Sequence, residues 1–372
     1  MTETRGLKLL STLAEDGLLT VELAEETTPQ PVGSEVLIRV EAAPINPSDL
    51  GLLFGPAEVE GADYGDGRIV ARMPEPALRA MKARFGLRAC PGNEGAGTVI
   101  AAGDAPEAQA LLGKRVTAFT GGGMFAQHCI ADASACMAVP EGISAEQAAS
   151  AFVNPLTALS FVEAMRREGH TALVHTAAAS NLGQMLVRIC QEDGVPLVNV
   201  VRNPAQVALL KGLGAQWVID TSQPTFMADL VAALEATGAT MAFDAIGGGK
   251  LASQIMTAME IVANRNAGYS RYGTNSPKHL FIYGALDLSP TILARNFGFV
   301  WDLSGFLLMP FLNKIGEEAA ERLRQRVRNS LTTTFASHYK AKVTLQQALS
   351  RDAVQEYNAR RTGEKYLVLP NG

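Results

Sequence analysis

Residues 172–202 limit the possible folds of this chain more than any other stretch. They read ALVHTAAASNLGQMLVRICQEDGVPLVNVVR. Ala172 to His175 is a short apolar run of the kind that forms a buried parallel strand. Thr176 to Asn181 carries no bulky side chain, so the backbone there can come close to a ligand. A helical pattern opens at Gly183, with Leu186, Ile189 and Cys190 on one face. Val195 to Val201 forms a second buried strand, and Arg202 follows it. Strand, tight turn, helix and strand make a βαβ unit, which belongs in a parallel sheet covered by helices.

The ends of such a unit can carry chemistry. A helix N-terminus presents free N–H groups and a positive dipole end, which suit a pyrophosphate. An acidic residue after the second strand would grip a ribose 2′-hydroxyl, whereas a cation suits a 2′-phosphate. Arg202 occupies that place, so the unit reads as a site for NADP(H). The glycine pattern is thin, because only Gly183 of the usual three glycines is present. Ala178, Ala179 and Ser180 stand where glycine is commoner. An ordinary crossover with a tight turn and a surface arginine accounts for the same residues.

At 372 residues the chain is long enough for two domains. An apolar content of 47% with 19% charged residues fits a soluble globular protein. The net charge of −5 and the lack of a basic cluster speak against nucleic acid. No signal peptide is expected from MTETRGLKLL, and FGFVWDLSGFLLMPFL is interrupted by Asp302 and Pro310, so no membrane span is expected. Cys90, Cys129, Cys136 and Cys190 suggest no disulfide framework, and a cytoplasmic setting is the default.

Two textures divide the chain. Residues 1–45 alternate apolar and polar, as in Glu35 to Ile45, which suits a half-buried antiparallel sheet. Turns at Pro31–Gly33, Pro44–Pro47 and Pro91–Gly97 continue that style. From about Ala145, helical periodicity alternates with short apolar strands, the pattern of a doubly wound parallel sheet. A final strand, KYLVLP, closes the chain. The expected division is a mostly β domain over 1–150 and 313–372, interrupted by a nucleotide domain over 151–312.

Several separated motifs now carry a resemblance. INPSDL (Ile45 to Leu50), PGNEGAGTV (Pro91 to Val99), VNPLTAL (Val153 to Leu159), FDAIGG (Phe243 to Gly248), the pair Tyr283–Gly284 and GFLL (Gly305 to Leu308) resemble segments of the medium-chain dehydrogenase/reductase superfamily. The wording is most similar to its zinc-free branch of quinone oxidoreductases and 2-enoyl thioester reductases. The resemblance runs from Val36 to Leu369 and implies an α/β Rossmann sheet plus a mostly β, GroES-like catalytic domain. It also implies cofactor contacts at Asn154, Thr157, Ala178, Ser180, Asn181, Leu182, Gly183, Gln184, Arg202, Ile246, Gly247, Tyr283, Gly284, Phe306 and Leu307. Asn154 reads equally well as a helix N-cap.

The zinc alcohol dehydrogenases of the superfamily use Cys, His and Cys as catalytic ligands, and the matching positions here are Asn46, Asn93 and Val153. None is a good zinc ligand, so no metal is expected. Without zinc, alcohol oxidation gives way to reduction of a quinone or an activated alkene. Hydride addition conjugate to a carbonyl pushes charge onto its oxygen, where a neutral donor lowers the barrier. Asn46 is the candidate for organising substrate or nicotinamide, although a turn residue capping its own backbone is an equal reading. The side chain of Asn93 reads as holding backbone, and Asp49 as bracing its loop. The thioester reductases carry a tyrosine eleven residues after that Asn, and here the position is Ala57. Tyr64, in a long insertion over 57–88, is the candidate substitute, with a surface-loop tyrosine the plainer reading. A second insertion, 263–278, reads as a solvated loop.

The lost tyrosine weakens the thioester reading more than the quinone reading, since a hydroquinone can take its protons from solvent. NADPH:quinone reduction therefore ranks first and 2-enoyl thioester or enone reduction second. A non-catalytic NADPH-binding sensor or structural protein is the alternative from another class. The resemblance further implies a homodimer joined through sheet edges, with Thr291 to Leu303 as the region.

Overall fold

The computed structural model describes residues 3–265, 267–359 and 365–372. The chain divides into two compact units, Met1–Val153 with Arg328–Gly372, and Asn154–Val327. The second crossing thus lies after Val327, where the sequence reading has 312. Ion pairs account for the difference. Arg326 lies 2.9 Å from Glu192 and 2.8 Å from Asp193. These bonds tie the Glu317–Asn329 helix to the Asn181–Asp193 helix of the second unit.

The first unit is mostly β. Thr4–Leu13 and Leu18–Thr28 form an antiparallel hairpin. In a second sheet, Glu35–Pro44 pairs antiparallel with Glu94–Ala102, His128–Asp132 and Tyr366–Val368. Glu35–Pro44 keeps the expected alternation in its middle, where Arg39 is exposed between buried Ile38 and Val40, and loses it at its end, where Ala42, Ala43 and Pro44 are all buried. Val36, Ile38 and Val40 enter the main core, while Ala42 packs in a separate cluster with Ala145, Ala148, Ala149 and Leu367. Where both faces are covered, from Ala42 to Pro44, no polar side chain remains.

The 57–88 insertion is also more ordered than a surface loop. Arg68–Arg72 and Asp63–Gly65 extend the N-terminal hairpin into a four-stranded sheet. Val59, Ala62, Ile69, Ala71 and Met73 are buried in the main core. The insertion is held by its apolar residues.

The second unit is a six-stranded, fully parallel sheet. In chain order its strands are Leu173–His175, Leu197–Val201, Trp217–Asp220, Met241–Asp244, Lys278–Ile282 and Trp301–Gly305. Across the sheet they lie third, second, first, fourth, fifth, sixth. This is the doubly wound Rossmann order, whose reversal point sits beside the first strand. The stretch Ala145–Arg167 is long and apolar enough to cross a membrane, which the sequence reading did not find. Yet 83% of its most apolar window is buried inside the protein, as in a core helix.

Candidate functional site

The turn after the first parallel strand is built for close packing. Ala177 takes φ +48°, the left-handed region, which costs a non-glycine residue about 1–2 kcal/mol. Ala178 and Ala179 are buried. The Ser180 hydroxyl accepts from the Gly183 N–H at 3.1 Å and so caps the Asn181–Asp193 helix. A Cβ at Gly183 would lie 2.1 Å from the Ala178 carbonyl oxygen, so only glycine fits there. Gln184 Nε2 donates to the Ala179 carbonyl at 3.0 Å. Leu182 is buried and Asn181 half-buried. These residues therefore share one turn and the first helical turn.

Arg202 directly follows the neighbouring parallel strand, which pairs Leu173 with Leu197 and His175 with Asn199. Both strands end at the same edge of the sheet, which brings Arg202 to the edge carrying the turn. Its side chain is exposed, while its backbone N–H donates to Gln206 Oε1 at 3.1 Å.

The later loops meet at the ends of the next strands. Asp244 accepts from the Ile246 N–H at 2.9 Å and the Gly247 N–H at 3.2 Å. Gly247 has φ +78°, and a Cβ there would lie 2.8 Å from the Gly284 carbonyl oxygen. Tyr283, Gly284, Phe306 and Leu307 line an open cleft of about 490 Å³ with Ile282 and Pro310. Phe306 is buried, whereas Leu307 is 70% exposed. Behind the cleft is an aromatic wall, in which Phe161 stacks on Phe243 at 3.9 Å and meets Tyr283 at 4.8 Å. The Tyr283 hydroxyl lies 2.7 Å from His175 Nε2. Burial pulls His175 down to about 3 and pushes the Tyr283 phenol up, so both are neutral at ordinary pH. Sequence reading missed His175 and Phe161; the histidine at the end of an apolar strand was the available signal.

Asn154 and Thr157 lie on the Val153–Arg167 helix, Thr157 buried and Asn154 half-buried. Asn154 is not the N-cap, because the helix has already begun at Val153. The Phe152 and Val153 N–H groups instead donate to Glu94 Oε2 at 3.0 and 2.8 Å.

That carboxylate belongs to a buried polar cluster in the first unit. Asn46, 3% exposed, precedes the Pro47–Leu53 helix, and its Nδ2 donates to Glu94 Oε1 at 2.9 Å. Asp49 braces two segments, accepting from the Asn46 N–H and the Asn93 N–H, each at 2.7 Å. Asn93 Nδ2 reaches the Ser48 hydroxyl at 3.0 Å. Burial pushes Asp49 up to about 7, and the two backbone bonds oppose it. Lys365 Nζ is sealed from solvent and has no hydrogen-bond partner. Burial pulls it down to about 8, against the attraction of Glu94 and Asp49. Asn46 Oδ1 is likewise buried without a partner. Glu94 and Lys365 were not singled out from sequence, although Glu94 lies inside a motif that was.

Tyr64 is committed elsewhere. Its hydroxyl donates to the Val59 carbonyl at 2.9 Å, and Arg351 stacks over its ring at 4.5 Å. In place of a surface-loop tyrosine, the structure shows one packed against the main core. Among the described residues, no three His, Cys, Asp or Glu side chains converge to hold a metal ion.

Known proteins frame this geometry. A family model described as the alcohol dehydrogenase GroES-like domain matches residues 33–141. A mitochondrial enoyl-[acyl-carrier-protein] reductase of Rattus norvegicus is 29% identical over 192 residues, covering 50% of this chain and 45% of that protein. The chain spans about half the length of the curated relatives it matches. A solved structure of a proposed NADPH:quinone reductase from Mesorhizobium loti is 26% identical with a TM-score of 0.75, covering 100% of both chains. A second such protein, from Bacillus thuringiensis, shares the fold at 21% identity and a TM-score of 0.72, covering 98% of this chain and 99% of its own. The GroES-like domain, the Rossmann strand order and the solved structure matched end to end support, for this chain, the zinc-free branch of the medium-chain dehydrogenase/reductase superfamily.

Proposed function

We propose that the protein is an NADPH-dependent, zinc-independent reductase that delivers hydride to a quinone or a related electron-poor acceptor. The observation that carries this reading is the likeness to a proposed NADPH:quinone reductase over the whole of both chains. The residues present fit the cofactor. The small-residue turn closed by Gly183 leaves backbone and a helix N-terminus for a pyrophosphate, and Arg202 supplies a cation for a 2′-phosphate. Tyr283, Gly284, Phe306 and Leu307 would form an apolar wall against the nicotinamide. When bound, NADPH supplies the hydride.

The chain's own residues would then orient the acceptor and exclude water. Asn46 is neutral and its Oδ1 is an open acceptor, which suits the positioning of a group that donates, such as a carboxamide N–H. Ala57 stands at the tyrosine position of the resemblance, and the Tyr64 hydroxyl is engaged by a backbone carbonyl. We therefore assign the role of proton donor to neither. This supports an acceptor whose product takes its protons from water.

A second reading, reduction of a 2-enoyl thioester, is favoured by the enoyl reductase relatives. The test is NADPH oxidation followed with an ortho-quinone and a 2-enoyl-CoA in parallel. Turnover of the quinone alone supports the first reading, and turnover of the thioester alone overturns it in favour of the second. Tight NADPH binding with neither turnover would favour a sensor. We also propose a homodimer through the Thr291–Leu303 region, which reaches the edge strand Trp301–Gly305 and carries the exposed Ile292 and Phe299. A monomer in sedimentation equilibrium would exclude it.

A further inference from the structure

Among the buried polar atoms of the first unit that lack partners, Asn46 Oδ1 and Lys365 Nζ come from facing residues. Leu367 pairs with Pro44 and Val368 with Ala43 in antiparallel register. The Ile45 N–H donates to the Tyr366 carbonyl at 3.0 Å. Carrying that register on by one residue places Lys365 opposite Asn46. Lys365 Nζ is a buried donor and Asn46 Oδ1 a buried acceptor, both without a hydrogen bond. Buried polar groups are nearly always paired, so an orphan of each kind at one place needs a reason.

Glu94 stands between them in the chemistry. Its Oε1 accepts from Asn46 Nδ2 and its Oε2 from the Phe152 and Val153 N–H groups. An ionised carboxylate only accepts, so it draws the NH₂ end of the Asn46 amide inward. A protonated one can donate, and the amide can then turn over to present its NH₂ end instead. The charge on Glu94 therefore decides which end of Asn46 remains open. Burial raises Glu94, and Lys365 is the charge that most opposes this. The other titratable groups facing the cluster are Asp49 and Tyr339. A carboxylate at Asp49 would repel that of Glu94, and the Tyr339 phenol is kept neutral by burial.

We propose that Lys365 is a positioning residue: its ammonium keeps Glu94 a carboxylate, and Glu94 holds Asn46 with its amide nitrogen inward and its carbonyl oxygen free to accept from a ligand. The ligand group this selects is a hydrogen-bond donor, such as a primary carboxamide N–H or a hydroxyl. The idea rests on Asn46 facing a ligand, as in the proposed function, but its first test needs no turnover.

The first test follows the Asn46 side-chain amide resonances in the ligand-free protein as pH is lowered, with Asn46→Asp for assignment. In the wild type one of their transitions is the titration of Glu94, separate from the response to Asp49, which accepts from the Asn46 N–H. In Lys365→Met the Glu94 midpoint moves up by about 1 pH unit or more, and in Lys365→Arg it returns toward the wild-type value. The sign follows from removing a cation, which makes the buried carboxylate easier to protonate. If the enzyme turns over a quinone, the acid limb of kcat/KM moves up in Lys365→Met and is restored in Lys365→Arg. Should Lys365→Met fail to fold, Lys365→Arg and Glu94→Gln remain. Glu94→Gln abolishes that transition of the Asn46 resonances if the proposal holds. An unmoved midpoint in a folded Lys365→Met, or an unchanged set of transitions in Glu94→Gln, overturns it. Absence of quinone turnover with the resonance shifts intact would sink only the proposed function.

Discussion

Among the described residues, a buried lysine–carboxylate group lies in each unit, and the two are built differently. In the second unit, Lys278 Nζ lies 2.6 Å from Glu260 Oε2 and donates to the Ser276 carbonyl at 2.8 Å. Glu260 also accepts from the Thr274 N–H at 2.8 Å, the Thr274 hydroxyl at 2.7 Å and Asn264 at 3.1 Å. Burial acts to raise Glu260, but the bonds from Lys278 and Thr274 outweigh it and hold its carboxyl below the usual range. In the first unit, Lys365 Nζ has no hydrogen bond, and the Asn46 amide beside Glu94 keeps an open oxygen. A saturated network fastens a segment, here the base of the 263–278 insertion. An unsaturated one keeps charge and open valences in a place where water is excluded, a cost that a folded scaffold bears when a ligand completes it.

The comparison can be broken most forcefully at the saturated pair. Lys278→Met strands a buried carboxylate and is expected to cost about 3–5 kcal/mol in urea unfolding, with activity per folded molecule unchanged. A loss below about 1 kcal/mol would mean that the insertion is anchored by something else. The converse holds at the unsaturated cluster. Asn46→Ala is expected to lower kcat/KM by about 100-fold while costing little stability; a variant of full activity would remove Asn46 from the site.

His175 is the intermediate case, with Nε2 bonded to Tyr283 and Nδ1 without a partner. Its folded pKa is depressed to about 3 from an ordinary 6.5 by burial. The unfolded chain therefore takes up a proton that the folded one refuses. Stability is fully present above 6.5 and is lost as pH falls from there toward 3, by about 1.4 kcal/mol per pH unit from this group. Urea midpoints measured between pH 6 and 4 should show a shallower slope in His175→Gln; an equal slope would assign the acid sensitivity to other groups. The smallest expected effect is at the exposed edge. Arg202→Glu should weaken NADPH binding by at least about tenfold in direct titration and leave NADH almost unaffected. Unchanged NADPH affinity would end the 2′-phosphate assignment.

How much was legible in the sequence differs between these places for one reason. The Thr176–Gln184 turn could be read directly, because its capping by Ser180 and its need for Gly183 are settled within a few residues. The parallel sheet could be read from its apolar runs, since strands covered on both faces leave no polar alternation. At the end of Glu35–Pro44 the expected alternation fails, because coverage near Ala42 comes from Ala145, Ala148, Ala149 and Leu367. The 57–88 insertion was misread because its strands are three and five residues long, too short to show a period. Tyr64 then found its partners in Val59 and Arg351.

By itself, then, the sequence determined the local devices: the βαβ unit, the tight turn, the arginine after the second strand and the change of texture near Ala145. Those depend on backbone geometry and on hydrogen bonds between near neighbours. Only the tertiary structure decided which charges are buried together. It set Lys365 opposite Asn46 through strand register and gave Glu94 the first amides of a helix that begins far along the chain. The cost of burying a charge depends on everything that surrounds it, and no single stretch of sequence contains those surroundings.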